Sequence, residues 1–151
     1  MAGYQTVVLA MLRDPHYVTN AAKWAEDIVA KCTDKALKRT SASADDFTIE
    51  IRLIGQNSVL GDLEARVADP IEIGALGLVT AKTPELANEI GKLLNPYLLH
   101  HPLTREEEVP TFAFPFSPAE IDRGPVYEFC LNHVMWLDDP MDAFSLEVLN
   151  A

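Results

Sequence analysis

Two strand-like segments, Phe47–Ile54 and Ile71–Thr80, follow one another with no helical periodicity between them, and this limits the fold more than any other feature. A parallel pair would need a crossover helix between its strands. The linker Gly55–Pro70 offers turn residues and at most a short strand at Ser58–Ala68. The two segments are therefore expected to pair as antiparallel neighbours. Phe47–Ile54 alternates, with Phe47, Ile49, Ile51 and Leu53 on one face and Thr48, Glu50 and Arg52 on the other, the pattern of a strand with one wet face.

The remaining elements frame this pair. Tyr4–Leu12 is a short, β-branched apolar run that stops at Arg13-Asp14-Pro15. Ala21, Trp24, Ala25, Ile28, Val29 and Cys32 recur at helical spacing, which predicts a helix from about Tyr17 to Arg39, capped either by Asp14 before Pro15 or later by Thr19 or Asn20. Thr83-Pro84-Glu85 is a second helix start. Leu86, Ile90, Leu93, Leu94 and Tyr97 fall on one face after it, and Asn95-Pro96 is expected to end or kink that helix. Val126–Leu137 is the longest strand candidate, and Met141–Ala151 reads as a short helix or tail. The order predicts one α+β domain over residues 1–151. It would be a ferredoxin-like split βαβ sandwich: an antiparallel sheet with two helices on one face. An open α/β sheet is the alternative.

A chain of 151 residues with 48% apolar content can bury a core without a disulfide or a metal. Twelve basic against 23 acidic residues leave a formal charge of −11, which argues against nucleic acid and against an anionic membrane surface as partners. No apolar run reaches the ~20 residues of a membrane span. The start lacks the basic flank and small-residue cleavage site of a signal peptide, so a cytoplasmic protein is expected. Cys32 and Cys130 each lie in apolar surroundings and read as two buried thiols.

Motifs for nucleotide phosphates, zinc proteolysis, thiol redox chemistry and α/β-hydrolase catalysis are absent from the sequence. No metal or cofactor is implied. His100 and His101 are adjacent, so they cannot share a metal as an i, i+4 pair can. His133, on the last strand candidate, reads as a core or interface histidine. Arg105–Glu108 reads as a solvated loop. The segment Thr111–Tyr127 is the most unusual, with three phenylalanines and three prolines. Ser117 to Glu120 fits a capping box, and the aromatics would plug one end of the core or an interface. If the segment is instead a lid over a pocket, Asn57, His101, Ser117, Glu120, Arg123 and His133 are the candidate catalytic or binding groups. Both faces of Val126–Leu137 are largely apolar: helices would cover one, and a partner chain is the natural cover for the other.

The string FAFPFSPAEIDRGPVYEFCLNHVM, followed by DDP and Phe144, resembles the C-terminal region of the acyclic terpene utilisation (AtuA) proteins. VVLAMLRDP, RLIGQNSVLGDLE and IEIGALGLVTAKTPELANEIGKLLNPYLLHHP fit the same region in order, so the resemblance spans nearly the whole chain. Members of that family usually carry a much larger domain ahead of this region. The resemblance therefore implies a small, accessory subunit that associates with a separately encoded large subunit, in acyclic terpene or branched acyl-CoA and organic acid breakdown. It also admits self-association. It assigns no catalytic residue. A pocket enzyme and a small-molecule regulatory module are the readings from other classes.

Overall fold

A computed structural model of the chain describes residues 1–66, 69–104, 110–132 and 134–149. The first strand, β1 (Gly3–Leu12), is the centre of a five-stranded antiparallel sheet. Along one edge it pairs with β3 (Ile73–Ala81), from Tyr4 opposite Ala81 to Leu12 opposite Ile73. β3 pairs in turn with β2 (Phe47–Ile54), from Phe47 opposite Ala81 to Ile54 opposite Gly74. On the other edge of β1 lie β5 (Glu120–Val126) and the two-residue β4 (Phe112–Ala113). The expected antiparallel pairing of Phe47–Ile54 with the following strand is present, and the chain is α+β.

Three helices complete the domain: α1 (Pro15–Thr19), α2 (Ala21–Arg39) and α3 (Pro84–His100). The predicted first helix is two segments, broken at Asn20. Of the two caps the sequence allowed, Asp14 is used, its carboxylate accepting from the His16 and Tyr17 amides with Pro15 at the first position. Thr83 caps α3 by accepting from Leu86 N–H. Asn95-Pro96 does not end α3, which runs on for four more residues. The buried Leu94 and Leu98 hold that last turn against the sheet, an instance of packing overriding a local breaker.

The helix-covered face of the sheet is continuous. Thr6, Val8, Ala10 and Leu12 of β1 and Ala75 and Val79 of β3 are fully or nearly fully buried beneath Trp24, Ile28, Ile90, Leu94 and Leu98. Helix α3 lies unusually close to the sheet because glycines meet it from both sides. A Cβ at Gly77 would come within 2.6 Å of Leu94 Cδ2, and one at Gly91 within 2.7 Å of Thr6 Cγ2. Only the bare backbone permits that spacing at Gly91, since Thr6 is β-branched and fully enclosed.

Three local expectations are corrected. The last strand is Glu120–Val126, not Val126–Leu137. The final ladder contact, from Ala2 N–H to Val126 O, coincides with the start of β1, so the described residues beyond Val126 find no strand to pair with. Pro125 is accommodated because β5 is an edge strand. The capping box at Ser117–Glu120 does not form, because Glu120 opens a strand instead of a helix. Cys130 is exposed, whereas Cys32 is fully buried with its thiol pushed up to about 11 by burial. The charge run Arg105–Glu108 lies outside the described residues, and Ser58–Arg66 forms a loop with one 3-10 turn at Gly61–Leu63.

Replacing Gly91 by valine should overpack the α3–β1 contact and cost about 1–3 kcal/mol, read as a fall in the thermal midpoint with a circular dichroism spectrum of unchanged shape. Alkylation of the native protein at mildly alkaline pH should modify Cys130 rapidly and spare Cys32 until denaturant is added, as peptide mass mapping will register.

Candidate functional site

The only charged cluster of the described residues with a nearly buried histidine at its centre joins α2 to the end of α3. His101 follows the last turn of α3, its N–H bonding back to Tyr97 O, and is 7% exposed. Its Nε2 lies 2.6 Å from Asp27 Oδ2 and 3.4 Å from Lys31 Nζ. Lys31 Nζ lies 2.7 Å from the same carboxylate oxygen, and the Trp24 indole N–H donates to the His101 carbonyl at 2.8 Å. Trp24, Asp27 and Lys31 share one face of α2 at i, i+3 and i+7, so a single helix supplies three of the four partners. The Lys31 ammonium, and secondarily the His101 ring, hold the Asp27 carboxyl below the usual carboxylate range.

A cleft of about 430 Å3 opens beside this cluster, lined by Lys23, Trp24, Glu26, Asp27, His101 and Leu103. Those side chains include no hydroxyl or thiol nucleophile. The ring nitrogen facing Asp27 is already engaged, so no base–nucleophile pair is set up within the cleft. The geometry is that of a latch: it clips the C-terminal end of α3 to α2.

The other sequence-predicted residues lie elsewhere. Asn57 is exposed in the loop after β2 and lines two shallow clefts there. Ser117 is exposed. Glu120 faces α3 and accepts from Asn95 Nδ2 at 2.6 Å. Arg123 lies on the opposite side of the sheet, donating to Gln5 Oε1 at 2.8 Å, and lines a groove of about 580 Å3. His133 lies outside the described residues. The clefts lined by His101, Asn57 and Arg123 have none of the predicted site residues in common.

Sequence reasoning did not single out Asp27 or Lys31. Their i, i+4 spacing on α2 was legible, but nothing local links them to His101, 74 positions from Asp27. It likewise missed Asp122, which accepts from Thr6 Oγ1 at 2.6 Å and from Asn88 Nδ2 at 2.9 Å. Those two bonds, the Asn88 one foremost, hold its carboxyl below the ordinary range and pin β5 to both β1 and α3. Among the described residues no group of three or more His, Cys, Asp or Glu side chains is placed to hold a metal ion, and no helix is long and apolar enough to cross a membrane. Comparisons with protein-family models, with curated proteins and with solved structures found no match to the chain.

The latch has a defined pH signature. Asp27 has a folded-state pKa below its ordinary 3.8, so its contribution is complete above that value and disappears as pH falls through the folded-state pKa. Its side chain is 43% exposed, and solvent screening limits the contribution to below about 1 kcal/mol. Asp27→Asn should therefore lower the thermal midpoint slightly at neutral pH. Scans at successively lower pH should show variant and native chain converging in acid.

Proposed function

We propose that this chain is the small, accessory subunit of an AtuA-like complex, docking onto a separately encoded large subunit that carries the catalytic machinery for acyclic terpene or branched acyl-CoA and organic acid breakdown in the cytoplasm. One observation carries the reading. Beyond Val126 the chain leaves the sheet and presents Tyr127, Phe129, Leu131, Met135, Trp136 and Phe144 to solvent, each between 62% and 93% exposed. Large aromatic and aliphatic side chains concentrated in one segment mark a surface that is covered in the working assembly. The string that carries the resemblance to the family's C-terminal region, Phe112–Met135, runs into this segment.

The proposed fold assignment supports the same reading. The arrangement β1–α2–β2–β3–α3–β5, with sheet order β2-β3-β1-β5 and every pair antiparallel, fits a ferredoxin-like split βαβ plan with α2 and α3 on one face. The latch and the Asp122 and Glu120 bonds fasten the helices and β5 to that frame, leaving the segment after Val126 as the free element. A pocket enzyme has less support, because among its described candidates His101, Asn57 and Arg123 line different clefts.

Co-expression with the AtuA-like large subunit, followed by size exclusion with light scattering, tests the proposal. The two chains should co-elute. Combined Phe129→Ser and Trp136→Ser substitutions should weaken the association at least thirtyfold, as expected when aromatic anchors are lost, without altering the fold of the small chain. Elution of the native small chain on its own in the presence of that subunit would overturn the reading.

A further inference from the structure

In their central rows, strands β1 and β3 are apolar on both faces, but the helices cover only one. An antiparallel strand with one wet face alternates apolar and polar side chains. β2 does so, turning Thr48, Glu50 and Arg52 outward. On β1 and β3 the outward positions of the two central rows are instead Val7 and Leu9, and Leu76 and Leu78, all half-buried and packed side by side by the register, with Gln5 bonded to Thr80 on the next row. The result is an aliphatic centre on the uncovered face. Charge flanks it on both sides: Glu50 and Arg52, paired at 2.7 Å on β2, and Arg123 on β5, which bonds to the neutral Gln5. An apolar centre with a polar rim is the composition of a protein contact.

We propose that a second copy of this chain covers this face, sheet against sheet, about a two-fold axis running along the strands between β3 and β1. The sheet order suits a second copy about this axis. Rotation about that line lays β1 and β3 of one copy over β3 and β1 of the other, so Val7 and Leu9 meet Leu76 and Leu78. It also carries β5 over β2. Glu50 shares its cross-strand row with Ile121, next along the outward face of β5 to Arg123, so Arg123 of each copy comes within reach of Glu50 of the other. An axis across the strands would instead lay β5 over β5 and β2 over β2, so Arg123 would not meet Glu50 of the other copy. The face is thus complementary to itself, as a two-fold contact requires. Four strands of about eight residues cover roughly 500 Å2. Two such faces bury about 1,000 Å2, the size at which specific interfaces begin.

Sedimentation of the full chain alone, from low to high micromolar concentration, should give a dimer. Leu78→Asp, which puts a charge at the centre of the contact, should give a monomer. Arg123→Glu alters only an exposed side chain, so it carries the test if Leu78→Asp fails to fold; it should weaken the dimer about tenfold. Phe129→Ser with Trp136→Ser should leave the dimer intact, which separates this contact from docking onto a larger subunit. A chain that remains monomeric throughout overturns the proposal. So does a dimer insensitive to Arg123→Glu, or one lost through the Phe129 and Trp136 changes.

Discussion

Strand β1 has both edges occupied along most of its length, by β3 on one side and by β5 and β4 on the other. Every other strand reaches the sheet through it or through its neighbour β3. Its inward side chains, Thr6, Val8, Ala10 and Leu12, are 0–1% exposed and form the floor on which α3 rests. Burying a strand so completely demands that its backbone donors and acceptors all find partners, and ladders on both edges meet that demand. The position of α3, and through the latch that of α2, follows from this floor.

The polar bonds on the helix side have a different task from the apolar core. Hydrophobic burial sets how much surface is removed from water but is indifferent to small slides of one element over another. Thr6, Asn88 and Asp122 tie β1, α3 and β5 together at one point, and Asn95 with Glu120 ties α3 to β5 again about two turns further along. Asp27, Lys31 and His101 fasten the far end of the same helix to α2. The helix is thereby held at both ends, and β5 is held in register up to Val126. Among the described residues this frame carries apolar surface on the uncovered sheet face and on the segment after Val126, and His101, Asn57 and Arg123 line different clefts.

Residues with strong local chemistry were legible in advance. The alternation of Phe47–Ile54 specified its strand and its wet face to the residue, and Thr83-Pro84 specified the start of α3. The six candidate site residues were chosen by chemical type and by their place near an unusual loop. Of these, Glu120 bonds to α3, Arg123 stands on the opposite face, and Asn57 and His101 line clefts of their own. Side-chain type reports what a residue is able to do, whereas convergence depends on pairings between segments more than 70 positions apart, such as Asp27 with His101.

The boundary between the two kinds of information is clearest at the last strand. Val126–Leu137 has the composition of a strand, yet Glu120–Val126, with its glycine and proline, takes the place beside β1. Periodicity and capping depend on neighbours within a few residues, so the amino-acid order alone determined the start of α3, the strand Phe47–Ile54 and its antiparallel pairing with the strand that follows. Which later segment completes the sheet depends on how much edge β1 has left and on which side chains can reach α3. Those quantities exist only once the helices are in place, and so the tertiary structure alone decided them, together with the exposure of Tyr127, Phe129, Leu131 and Trp136.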